Sequence, residues 1–157
     1  MFDDCTDRRF SATGEVVPVD AIDTVACLAR LASGVAGTVH VSNACKRGSG
    51  FHLDIYGTEG RLAVESPNMV QYSPARVYGA QGNGALQALP VPLRLHEVTQ
   101  LSAESQALQV AQLLRHFIRS LDTGTPFHPH FGDAVSLHRT LEAVVRSSAT
   151  GYWEAVA

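Results

Sequence analysis

The chain has 157 residues, 45% of them hydrophobic and 17% charged, and a formal net charge of -3. The length is enough for one ordinary domain with its own core but too short for a nucleotide-binding domain plus a substrate domain. This composition excludes a solvating, disordered chain, and the mild acidity gives no phosphate-seeking field, so nucleic acid is not an expected partner.

Residues 1–19 show no sustained period and read as an irregular leader or arm, and residues 20–157 read as a single α+β domain. Small and apolar residues over 24–31 predict a first strand. Ser33-Gly34 predicts a turn, and residues 35–42 a second strand with Thr38 and His40 on its more polar face. The polar stretch 43–50, which holds Lys46 and Arg47, reads as a hairpin loop. Residues 51–56 alternate most clearly, with Phe51, Leu53 and Ile55 on one face and His52, Asp54 and Tyr56 on the other. Gly57-Thr58-Glu59-Gly60 then turns the chain into a strand over 61–65, the glycines being expected for positive φ. Prolines and glycines interrupt residues 67–92, leaving room for short strands at 69–72 and 85–89.

Helical spacing takes over after Leu95. Leu101, Leu108, Ala111, Leu114, Ile118 and Leu121 form one apolar stripe, widened by Phe117 and expected to face inward, with Thr99 or Ser102 as the cap and Gly124-Thr125-Pro126 as the stop. A second helix is predicted over 133–149, with Leu137, Leu141, Val144 and Val145 inward and a Glu142–Arg146 pair outside. Gly151 ends it, and 152–156 reads as a last strand. The expected architecture is α+β: an open, mainly antiparallel sheet with two C-terminal helices packed on one face.

Candidate chemistry is sparse. Cys5, Cys27 and Cys45 cannot be fully paired and show no C-x-x-C spacing, so a reducing cytoplasmic setting is expected. His128-Pro129-His130 has an extended spacing suited to a metal, but no carboxylate or cysteine completes the set at a known spacing, and no metal site is assigned. His40, His52 and Asp54 would lie side by side if their strands were neighbours, an arrangement that orients an imidazole for proton transfer. An amphipathic sheet face more often marks association, which favours Thr38, His40, His52, Asp54 and Tyr56 as interface residues. Lys46 and Arg47 are the adjacent basic pair of the ordered part, and an exposed tip is the simpler reading for them.

In order, several stretches resemble the C-terminal half of the Gfo/Idh/MocA oxidoreductases, the glucose–fructose oxidoreductase and inositol dehydrogenase family. They are Asp23-Thr24, Ala32-Ser33-Gly34-Val35-Ala36-Gly37, Leu53-Asp54-Ile55-Tyr56-Gly57-Thr58-Glu59-Gly60-Arg61-Leu62, Phe117-Ile118-Arg119-Ser120-Leu121-Asp122-Thr123-Gly124-Thr125-Pro126 and Leu141-Glu142-Ala143-Val144-Val145-Arg146-Ser147-Ser148. The resemblance implies an NAD(P)-dependent enzyme acting on sugar- or polyol-like substrates, with NAD or NADP held by an N-terminal Rossmann domain. It also implies a homodimer formed through the open sheet face, and places Lys46 and Arg47 near the substrate cleft as substrate-facing candidates. The G-x-G-x-x-G of a dinucleotide site has no counterpart in the chain, because Gly48-Ser49-Gly50 runs into a strand and the glycines at 79, 82 and 84 are wrongly spaced. The family's Glu-Lys-Pro segment and its catalytic histidine helix have no counterpart either. The expectation is a substrate-binding and oligomerisation domain with no catalytic and no cofactor-binding residue of its own, inactive alone. The alternative is a non-catalytic dimerisation or small-ligand-binding module, and a hydrolase built on His128 and His130 ranks well behind both.

Overall fold

The computed structural model describes residues 8–9, 13–17, 21–72 and 74–156. In chain order the elements are β1 (Arg8–Arg9), β2 (Val16–Val17), β3 (Thr24–Arg30), β4 (Ala36–Ser42), β5 (Phe51–Gly57), β6 (Gly60–Ser66), β7 (Arg76–Gln81) and β8 (Gln87–Leu89). A 3-10 turn at Leu93–Leu95 precedes α1 (Leu108–Thr123) and α2 (Phe131–Thr150). The fold is α+β, and every strand pairing is antiparallel. Among the described residues no helix is long and apolar enough to cross a membrane. Two compact units divide the chain, one of Met1–Arg47 with Pro129–Ala157 and the other of Gly48–His128.

The first unit holds the β1–β2 ladder, within the stretch expected to be irregular, and the β3–β4 hairpin. The hairpin register runs from Thr24 opposite Ser42 to Arg30 opposite Ala36. Gly34, at φ 88°, closes its turn, and the Leu31 amide donates to the Val35 carbonyl at 2.8 Å. At the open end Asp23 is buried, Thr24 Oγ1 lies 3.0 Å from Asp23 Oδ1 and 2.9 Å from Ser42 Oγ, and the Asn43 amide donates to the Asp23 carbonyl. The family-like Asp23-Thr24 pair therefore fastens the start of β3 to the end of β4.

In the second unit β5, β6, β7 and β8 form one four-stranded meander. β7 was not anticipated: the segment 69–72 expected as a strand is a turn, with the Tyr72 amide on the Met69 carbonyl, and the chain extends only at Arg76. Proline and glycine punctuation marks where pairing can be interrupted, but it does not show which short segment between two breaks will find a neighbouring edge. Gly57 and Gly60 do not adopt positive φ, contrary to the turn argument. Gly60 is needed for a different reason: a Cβ there would run into the Ala80 carbonyl oxygen on β7.

The helices differ from expectation mainly at their ends. α1 starts at Leu108, well over a turn later than the Ser102 cap would place it, without a side-chain cap. The Ser102 and Ser105 hydroxyls instead accept the Glu104 and Ala107 amides at 3.2 and 3.3 Å, local turns that compete with helix formation. Gly124 terminates α1 at φ 67° and Gly151 terminates α2 at φ 73°, as the stop signals require. Residues 152–156 are not a strand. They fold back on α2, where Ser147 Oγ donates to the Tyr152 carbonyl at 2.6 Å and Arg146 pairs with Glu154 at 3.5 Å rather than with Glu142.

The core is thin. Buried hydrophobic side chains among the described residues are Ala63, Leu108 and Ala143, at 3–4% exposure. Leu114, Ile118 and Leu121 of α1, and Leu137, Leu141 and Val145 of α2, all expected inward, are exposed. The residues of α2 that do turn inward are Ala143, Val144 and Ser147, which line a cleft of about 180 Å³ with Leu28 and Arg30 of β3 and with Trp153. Helical spacing selects which residues share a stripe, and what covers the stripe is a tertiary matter.

Candidate functional site

The four-stranded sheet carries the densest polar chemistry, and its register sorts that chemistry into rows. Opposed residues share a face, so one face presents His52, Glu65 and Arg76 in one row, and Asp54, Ala63 and Tyr78 in the next. The third row is Tyr56, Arg61 and Ala80. The other face is apolar, with Leu53 and Ile55 of β5, Leu62 of β6 and Leu89 of β8 all exposed. Gly79 leaves room on that face, since a Cβ there would meet Leu89 Cδ1 at 2.7 Å.

One end of the polar face is closed on itself. Arg61 donates to Asp54 Oδ1 from Nε at 2.9 Å and from Nη2 at 2.6 Å, and its guanidinium stacks 5.2 Å from the Tyr56 ring centroid. The Asp54 hydrogen bonds push the Arg61 guanidinium above its ordinary range. Both charges are thereby committed to each other.

The opposite end is open. His52, Glu65, Ser66, Arg76 and Tyr78 line a cleft of about 350 Å³ together with Ser49, Pro67 and Pro74. His52 Nε2 lies 3.0 Å from the Ser49 carbonyl. A carbonyl only accepts, so Nε2 carries the hydrogen, and in the neutral ring Nδ1 remains an acceptor. Ser66 is 4% exposed, and its hydroxyl oxygen has no hydrogen-bond partner.

Sequence reasoning reached His52, Asp54 and Tyr56 on this face but missed Arg61, Glu65, Arg76 and Tyr78 as their company. Alternation within β6 could have supplied Arg61, Ala63 and Glu65. Arg76 and Tyr78 required β7. His40 is placed elsewhere: β4 pairs with β3, so His40 opposes Ala26 and Thr38 opposes Leu28 on the first unit's hairpin. The His40–His52–Asp54 alignment across neighbouring strands is therefore not formed, because β4 and β5 belong to different sheets. For the same reason Lys46 and Arg47 do not sit at a hairpin tip. They lie in the connection from β4 to β5, both exposed, with Arg47 at φ 58°.

His130 is part of a capping box at the start of α2. Its Nδ1 accepts the Asp133 amide at 3.2 Å while Asp133 Oδ2 accepts the His130 amide at 2.7 Å. Asp133 is a carboxylate partner that the histidine spacing did not reveal, since the i,i+3 approach depends on where the helix begins. His128 falls in the other unit. The remaining charged cluster is on α1, where Arg119 clamps Glu97 with bonds of 3.2 and 2.6 Å and Arg115 and His116 stand at 3.7 and 3.6 Å. The Arg119 contacts hold the Glu97 carboxyl below its usual range.

Known proteins match parts of this sequence. Residues 5–63, from ahead of the β1–β2 ladder to the middle of β6, match the model of the GFO/IDH/MocA C-terminal domain. The family resemblance carried by Asp23-Thr24, the β3–β4 turn and the β5–β6 hairpin is thus borne out. An uncharacterized oxidoreductase of Synechocystis sp. is similar, at 24% identity over 140 residues, which is 88% of this chain and 38% of that protein. The match thus spans less than two fifths of the curated relative. No solved structure matches significantly.

Proposed function

We propose that this chain is the substrate-binding and association part of an NAD(P)-dependent oxidoreductase of sugar- or polyol-like compounds, a dehydrogenase working in the cytoplasm. The observation that carries the reading is the family match over 5–63 together with the longer similarity to an oxidoreductase. The sequence has no G-x-G-x-x-G between a strand and a helix, so NAD or NADP would be held by another part of the full enzyme. Lys46 and Arg47, exposed in the β4–β5 connection, remain the substrate-facing candidates by family resemblance.

Association through an open sheet face belongs to the same proposal, as a homodimer. Leu53, Ile55, Leu62 and Leu89 are exposed on one side of the β5–β8 sheet, and an apolar patch of this kind marks a contact surface. His52, Asp54 and Tyr56 lie on the opposite side, and Thr38 and His40 on the separate β3–β4 hairpin.

Saturation-transfer NMR of the chain with a panel of sugars and polyols tests the substrate part, and contact from none of them overturns it. NADH fluorescence should be unchanged by the chain, since tight binding would mean that an unrecognised nucleotide pocket exists. Sedimentation as a strict monomer at high concentration would remove the association.

A further inference from the structure

The two ends of the polar face of the β5–β8 sheet hold similar groups in opposite states. At one end Arg61, Asp54 and Tyr56 satisfy each other. At the other, Arg76 and Glu65 are direct cross-strand neighbours, yet among the described residues no ion pair within 4 Å joins them. Opposite charges left apart on adjacent strands keep their full hydrogen-bonding capacity toward a third group.

That third group has a readable chemistry. Arg76 offers a planar fork of donors, the geometry that suits a carboxylate. Glu65, one strand away, carries only acceptors, so it repels a bare anion and takes hydroxyl hydrogens. His52 Nδ1, beyond it in the same row, is another acceptor, since Nε2–H is spent on the Ser49 carbonyl. Tyr78, two residues from Arg76 on the same face of β7, adds a hydroxyl that can donate or accept. The row from Arg76 to His52 spans two strand spacings, about 10 Å. The cleft, at about 350 Å³, lies within the range of small-molecule sites.

We propose that this cleft binds a small hydroxy-carboxylate of sugar-acid size, with its carboxylate on Arg76 and its hydroxyls on Glu65, His52 and Tyr78. A plain polyol leaves the guanidinium without its anion. A simple anion such as phosphate or acetate leaves Glu65 facing negative charge with no hydroxyl to receive. The site goes beyond the oxidoreductase reading, because it is built from this chain's own side chains and needs no nucleotide.

Calorimetric titration of the whole 157-residue chain with D-gluconate, glucitol, acetate and inorganic phosphate tests it, with no cofactor present. Gluconate should bind, and glucitol should bind at least about tenfold more weakly, the loss expected when a charged hydrogen bond is removed. Arg76→Gln should erase the preference of gluconate over glucitol, while Arg94→Gln, which removes an exposed charge outside the cleft, should leave it intact. Tyr78→Phe supplies a second probe if Arg76→Gln unfolds, and should weaken gluconate by a few fold. Gluconate shifting the His52 ring resonances would support the placement. No gluconate binding, equal binding by acetate or phosphate, or a Tyr78→Phe chain that binds gluconate unchanged would each overturn the site. Because nicotinamide plays no part in these measurements, a negative result would leave the oxidoreductase reading standing.

Discussion

The closed and open ends of one sheet face differ in partners rather than in composition. Each end has an arginine and a carboxylate on adjacent strands and a tyrosine on the same face. The Arg61–Asp54 contact is diagonal across β5 and β6, where the long guanidinium reaches back over Ala63 and settles beside Tyr56. The Arg76–Glu65 pair is directly opposed at the strand ends beside Pro67 and Pro74, and its charges stay apart around a cleft. Charge on a strand therefore does not announce a site. What distinguishes one is charge that the fold leaves uncommitted around a cleft.

The comparison can be broken most severely at the closed end. Gly60→Ala pushes a Cβ into the Ala80 carbonyl and should cost about 3 kcal/mol, read as a lowered midpoint in urea denaturation. At the open end the sign reverses. Ser66→Ala removes a buried hydroxyl that has no partner, on the face turned away from Glu65, and should raise stability by about 1 kcal/mol in the same measurement while leaving gluconate binding unchanged. A destabilised Ser66→Ala chain would mean that the hydroxyl already has a partner.

Two further closed networks, away from the sheet, set the scale for committed polar groups. Asp133→Ala breaks both bonds of the α2 capping box and should cost about 1 kcal/mol by thermal unfolding. The smallest effect is expected at Glu97, whose carboxyl is held low by Arg119. A folded-state value below that of the unfolded chain stabilises the fold above roughly pH 4.3, and this contribution is lost as pH falls through the lowered value. NMR titration should find the Glu97 carboxyl titrating below the ordinary glutamate range, and Arg119→Gln should return it toward that range. A Glu97 that titrates normally would show the clamp to be open in solution.

Local chemistry by itself determined much of this protein. Alternation placed β5 and its two faces, and the left-handed glycines stop both helices where Gly124 and Gly151 stand in the chain. The ordered short motifs from Asp23-Thr24 to the β5–β6 hairpin were enough to indicate the family that residues 5–63 match. These are properties of neighbours in sequence, set by turn geometry and by which residues tolerate positive φ.

Tertiary structure decided what depends on partners distant in sequence. It separated His40 from His52 by assigning β4 and β5 to different sheets, and made the Lys46–Arg47 segment a connection rather than a tip. It also brought in β7, and with it Arg76 and Tyr78, to complete the open row beside His52 and Glu65. Strand partners are chosen by edge pairing and register across many residues, and a one-residue slip would turn every one of these side chains to the other face. Length and composition bounded the chain to a domain-sized object, and register determined which of its charges were left for a ligand.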